Sequence, residues 1–152
     1  MLPSTTSRVE RNTADSVNRH IRQQTEENVA YFAENPHEIE RRLHELDHDW
    51  DIERTLEANA AALSLAGITL GATHDKRWLL LPAAVTGFLL QHALQGWCPP
   101  IIFFRRRGIR TSKEIDQERY ALKALRGDFG GLPASGTASA HERASKALMM
   151  VR

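Results

Sequence analysis

The chain has little of several things, and each shortage closes a class of function. A single cysteine, Cys98, stands among 152 residues, so no internal disulfide forms and no zinc site can be built mainly from thiolates. Charge of one sign is not in excess. Lys+Arg 20 against Asp+Glu 19 leaves a net +1, without the clustered basic surplus of a nucleic-acid protein, so no nucleic-acid partner is expected. The length suits one ordinary domain and excludes a large two-domain enzyme. Strand-like alternation and internal repeats are both missing, which makes the class all-α. Residues 1–12 are polar and lead into no apolar stretch, so no cleavable signal peptide is expected.

The most selective shortage is local. Residues 58–73 and 78–104 contain no Asp, Glu, Lys or Arg, and only His74, Asp75, Lys76 and Arg77 separate them. A mean hydropathy of −0.43 hides this segregation. A helix needs about 20 mostly apolar residues to cross a bilayer core of roughly 30 Å. The second stretch reaches that length between 78 and 98, where Pro99 and Pro100 end it; the first must extend back to about residue 56 and is marginal. Together they predict a two-helix transmembrane hairpin with spans at about 56–73 and 78–98. A hairpin buried in a soluble domain is the alternative.

Three features favour the membrane. Arg41, Arg42 and Arg54 precede the first stretch and Arg105, Arg106, Arg107, Arg110 and Lys113 follow the second, against Lys76 and Arg77 in the turn, a bias that places both termini in the cytoplasm. Trp78 and Trp97 bracket the second stretch as an interfacial belt would. Small residues recur four apart at Gly67/Gly71 and Ala83/Gly87, spacing that lets helix backbones approach in lipid and predicts homo-oligomers through those faces.

Amphipathic cytoplasmic helices are expected on either side. Residues 14–33 are a weakly amphipathic candidate. Asn35, Pro36 and Glu38 then read as the start of a helix whose Ile39, Leu43, Leu46 and Trp50 form one apolar stripe. That stripe must cover a partner helix, a second copy or the membrane surface. Thr111-Ser-Lys-Glu114 reads as a capping box for a helix to about Arg126, with Gly127 as its stop. Residues 130–152 read as a flexible Gly/Ala/Ser tail with a short basic helix. The domain plan is therefore 1–50, 51–129 and 130–152.

Four groups of residues carry chemical alternatives. His44-Glu45-Leu46-Asp47-His48 fits the two-histidine zinc motif, with Glu45 as the water-activating base, yet no strand or cleft is foreseen to make a hydrolase of it; His44 and His48 remain weak metal candidates. Cys98 is a candidate reactive thiol or sulfur carrier with the cationic run nearby, although a free cysteine more often packs as a small hydrophobe. Arg105, Arg106 and Arg107 read as topology determinants and lipid-facing cationic anchors. His92, with Gln91 and Gln95, forms a polar patch in the second stretch that serves as helix–helix glue, interface contact or pore lining.

Asp51-Ile52-Glu53-Arg54, Leu65-Ala66-Gly67, Leu70-Gly71, Thr86-Gly87, Gly96-Trp97-Cys98-Pro99 and Gly108-Ile109-Arg110-Thr111 make residues 51–129 resemble the YgaP-like inner-membrane domain family. The resemblance implies a small two-helix membrane hairpin, occurring alone or fused to rhodanese-type domains, sometimes dimeric. A charged N-terminal region stands here in place of a rhodanese domain, so sulfur transfer is not carried over. The resulting expectation is a small integral inner-membrane protein, non-enzymatic and without a cofactor, partnered by the bilayer and by a second copy or another protein. A soluble helical adaptor is the remaining alternative.

Overall fold

A computed structural model describes residues 4–131 and 146–147. Its helices are α1 Arg8–Arg11, α2 Asp15–Glu34, α3 Ile39–His48, α4 Ile52–Thr73, α5 Leu80–Gln95, α6 Pro99–Arg106 and α7 Ser112–Arg126, with 3-10 turns at Pro36–Glu38 and Lys76–Leu79. No strand occurs among the described residues, so the class is all-α. The expected tail helix falls on residues that lie outside the described ones, apart from Lys146 and Ala147.

Local signals account for most boundaries. The capping box at α7 is reciprocal: Thr111 N–H donates to Glu114 Oε2 at 2.7 Å and Glu114 N–H to Thr111 Oγ1 at 3.2 Å, while Gly127 ends the helix at φ 88°. Asp51 caps α4 by accepting from Arg54 N–H at 2.8 Å. The start expected at Asn35 differs. Its amide donates back to the Tyr31 carbonyl at 2.9 Å, which removes it as a cap, so Pro36–Glu38 forms a 3-10 turn before α3 begins.

The second apolar stretch also departs from expectation. α5 stops at Gln95 because Gly96 turns left-handed at φ 76°, and a new helix, α6, starts at Pro99. Proline suits a first helical turn, where its missing N–H costs nothing. The segments Lys76–Gln95 and Pro99–Arg106 are bent by 70°, and no single helix among the described residues is long and apolar enough to cross a membrane; that bent pair passes by length and composition alone.

The described residues divide into two compact units, 4–23 with 50–114 and 24–49 with 115–131 and 146–147. The N-terminal region contributes to both. In the second unit Ile39, Leu43 and Leu46 bury their stripe against Phe32, Ile115 and Leu122, so neighbouring helices of the same chain cover it. Trp50 lies beyond α3, is 48% exposed, and has the Arg54 guanidinium 4.4 Å above its ring. Glu118, fully buried, is reached by Arg42 Nε at 2.8 Å and Asn28 at 3.3 Å.

The first unit packs Val9, Ile52, Leu56, Cys98 and Ile101 into one cluster. Beside it Arg105 is 1% exposed, which corrects its reading as a lipid-facing anchor. Its Nε–H donates to Thr13 Oγ1 (3.2 Å), one terminal nitrogen to the Ile109 carbonyl (3.0 Å) and Glu114 Oε2 (2.6 Å), and the other to Asn18 Oδ1 (3.0 Å) and Glu114 Oε1 (2.7 Å). Every guanidinium donor is thus used, the condition under which burying the charge is tolerable. Burial raises the Glu114 pKa, but the Arg105 pair and the Thr111 N–H outweigh it, leaving the carboxyl below its ordinary value.

A group with a lowered folded pKa stabilises the protein fully above its unfolded value, here about 4.5, and that contribution disappears as pH falls through the lower folded value. Glu114→Gln, which strands the buried guanidinium, is expected to cost about 3 kcal/mol in urea denaturation at neutral pH. The same variant should lose less stability than the parent on acidification.

Candidate functional site at the base of the hairpin

α4 and α5 approach each other through glycine. A Cβ on Gly67 would lie 2.5 Å from Pro82 Cδ, and one on Gly71 would lie 2.6 Å from Leu79 Cδ2. Both glycines, expected to be helix-packing positions, pack α4 against α5 within one chain. Ala83 and Gly87 are exposed, and nothing lies within 4 Å of where a Gly87 Cβ would stand.

At the base of this hairpin, sequence-distant polar groups meet. His92, 2% exposed, places Nε2 at 2.8 Å from Glu53 Oε2, and Arg8 donates to Glu53 Oε1 at 2.8 Å. The polar patch thus takes the role of glue between α5 and α4. The hydrogen bond from His92 and the His92 charge, with the Arg8 charge behind them, outweigh desolvation and hold the Glu53 carboxyl below its ordinary value. The thiol of Cys98, 3% exposed, lies against the His92 ring. His92 Nε2 is turned to the carboxylate, and Nδ1 is buried.

Two backbone devices fix this geometry. Gly96 caps α5, its N–H donating to the His92 carbonyl at 2.7 Å, and Asn12 donates to the Gln95 carbonyl at 2.9 Å. Cys98 then runs extended at φ −154° as the residue before α6. Next to the thiol opens an apolar cleft of about 160 Å³, walled by Leu56, Ala60, Leu63, Val85, Phe88 and Phe104, with Asn59 at its edge.

The other expected residues sit apart from this base. His44 and His48 are exposed on α3 with ring centroids 4.6 Å apart, and His48 Nδ1 lies 2.9 Å from the His44 carbonyl. Glu45, the base of the zinc reading, is ion-paired with both Arg41 and Arg42. Among the described residues no three His, Cys, Asp or Glu side chains are grouped to hold a metal ion. Arg106 and Arg107 are exposed, the latter stacked 4.3 Å over Phe103.

Sequence reasoning marked Cys98 and His92 separately but missed Arg8 and Glu53 as their partners. The Glu53 partners are 45 and 39 residues away along the chain, beyond any periodicity. A histidine in an otherwise apolar stretch was the available signal, because such a group needs a partner.

Comparison of the chain with family models, with curated proteins and with solved structures finds no match. The site therefore stands on its own geometry.

Gly96 is required twice over. Its φ is positive, and a Cβ there would fall 2.6 Å from the Arg8 backbone and side chain. Gly96→Ala is expected to lower stability by at least ~2 kcal/mol in urea denaturation, whereas Gly108→Ala, also left-handed but with open space around it, should lose only ~1–2 kcal/mol.

Proposed function

We propose that the chain is a small inner-membrane module, both termini cytoplasmic, whose α4–α5 hairpin anchors it in lipid and which holds a partner or a second copy there. The observation that carries this reading is that the hairpin is packed inside out. Its glycines face the seam, while Leu65 (67% exposed), Leu80 (72%) and Leu90 (62%), together with Leu63, Ile68 and Phe88, point outward. In water such a surface is costly and invites association. In lipid there is no penalty for outward leucines, and close backbone packing through small residues is what holds helices together. Neither charge-free stretch presents a charged face, and a helix apolar on all sides belongs inside protein or bilayer.

Length shapes how the hairpin would insert. The 16 residues of α5, like the charge-free part of α4, span roughly 24 Å, short of the roughly 30 Å hydrocarbon core. Local thinning of the bilayer, or Lys76 and Arg77 reaching up to head groups, would close that gap; a re-entrant hairpin is the second arrangement this length favours. Arg106 and Arg107, exposed beyond the bend, would add about 1 kcal/mol each of attraction to anionic lipid. The YgaP-like resemblance supports the same reading and supplies no activity.

The test uses Cys98→Ser with Lys76→Cys. The expected outcome is that the protein stays in the membrane pellet through a carbonate wash and that a membrane-impermeant maleimide labels Cys at the tip from the outer side. Labelling from the cytoplasmic side alone would indicate the re-entrant form. Recovery in the carbonate supernatant would end the membrane reading and leave the outward apolar faces to a soluble partner.

Self-association has its own check. Gly87→Leu, at an open position, should weaken dimers in detergent about tenfold if the exposed Ala83/Gly87 face is the contact between copies. Gly67→Leu should instead disturb the hairpin itself, read as loss of helical signal.

A further inference from the structure

The cleft between α4, α5 and α6 has an apolar body and a cationic rim. We propose that it binds one anionic phospholipid of the cytoplasmic leaflet, with an acyl chain in the cleft and the phosphate held by Arg106 and Arg107. The inference rests on the membrane reading and deepens it, from a general attraction to anionic lipid to a single site.

The body calls for hydrocarbon. Leu56, Ala60 and Leu63 of α4, Val85 and Phe88 of α5 and Phe104 of α6 wall a volume of about 160 Å³. Asn59, the polar side chain at its edge, already donates to the Thr55 carbonyl at 2.7 Å. A dry cavity of roughly 150 Å³ holds a benzene-sized group, so about six carbons of a chain fit before it leaves the cleft. Leu56 to Leu63 covers about 10 Å of α4, so a chain seated there lies along the hairpin and not across it. Leu63 and Phe88 are 50% and 45% exposed. The cleft is therefore open to its surroundings at that level, and a longer chain continues from it along the outward leucines into the bilayer.

The rim supplies the charge. Arg105 is buried and spent on Glu114, whereas Arg106 and Arg107 are exposed, and no carboxylate of a described residue pairs with either. The Arg107 guanidinium lies 4.3 Å over the Phe103 ring. That ring meets Phe104, a wall of the cleft, edge-on at 5.7 Å, so two aromatic contacts tie the cation to the cleft. Glu57, the carboxylate nearest in sequence to the α4 wall, falls off the face that Leu56, Ala60 and Leu63 share. A guanidinium fork matches phosphate oxygens bidentately. The 70° bend between Lys76–Gln95 and Pro99–Arg106 turns α6 from the hairpin axis toward the plane of the head groups. Its cationic end then stands at phosphate level while the cleft runs into hydrocarbon, which matches a ligand with a charged head and a long chain. A zwitterionic head group brings its own cation and gains less.

The experiment titrates the purified, delipidated full chain in non-ionic detergent with phosphatidylglycerol and with phosphatidylcholine of the same acyl chains, and counts bound lipid by native mass spectrometry. The expected result is one phosphatidylglycerol per chain, held about thirtyfold more tightly than phosphatidylcholine at low salt. Arg106→Gln with Arg107→Gln should bring the two lipids level. Lys76→Gln with Arg77→Gln, the same loss of charge at the far end of the hairpin, should leave the preference intact. Ala60→Phe, which fills the cleft at a partly exposed position, should weaken both lipids about tenfold at equal helical signal. Three results would overturn the proposal. Binding that never saturates and that both double variants reduce alike is diffuse surface attraction; oleate held more tightly than phosphatidylglycerol gives the cleft to a free fatty acid; and a dimer broken by Ala60→Phe while lipid binding is unchanged gives it to a second copy. Protein in the carbonate supernatant ends the membrane reading and this inference with it, whereas protein in the pellet that lacks these preferences ends this inference alone.

Discussion

A guanidinium cannot be taken out of water unless each of its donors finds an acceptor, and in this protein that demand organises the first unit. Arg105 gathers Thr13, Asn18, Ile109 and Glu114 around itself. Those acceptors come from the N-terminal segment, from the loop after α6 and from the start of α7. Each must be in place for the others to be useful, because a half-satisfied buried charge is worse than none. The capping box of α7 belongs to the same network: Glu114 accepts from the Thr111 N–H and from Arg105 with the same carboxylate.

The hairpin rests on this base and obeys a different rule. Near the base, Ile52, Leu56 and Ile101 are buried in the ordinary way. Toward the tip the pattern inverts, with Gly67 and Gly71 inside and the leucines outside. A glycine seam contributes close van der Waals contact but removes little apolar area from water, so the tip is stabilised by its surroundings more than by itself. Polar groups appear where the two regimes meet. His92, Glu53 and Arg8 satisfy one another there, and Cys98 and the apolar cleft lie alongside, which is why the chemically interesting groups of the first unit collect at that level of the hairpin and not at its tip.

The fold was legible wherever the signal was local. Thr111 with Glu114, Gly127 and the run of Ile39, Leu43 and Leu46 read correctly as a cap, a stop and one apolar stripe, and both charge-free stretches as helical, because each depends on residues within a few positions; the break of the second stretch at Gly96 was not foreseen. The failures share one cause. Asn35 looks like a cap, but its amide is taken by Tyr31; Arg105 looks like a surface cation beside Arg106 and Arg107, but its partners include groups 92 and 87 residues away. Residues one apart on a helix point in different directions, so a run of three arginines divides between the interior and the surface once a carboxylate is waiting on one side.

The sequence by itself determined the all-α class and the turn between the two charge-free stretches, since charge segregation and periodicity act over a few residues. Tertiary structure decided which arginine is buried, that Gly67 and Gly71 are spent within one chain, and that His92 sits between Glu53 and Cys98. Those outcomes depend on hydrogen-bond acceptors and packing surfaces brought together from distant parts of the chain, and a buried polar group takes whichever partner the fold delivers.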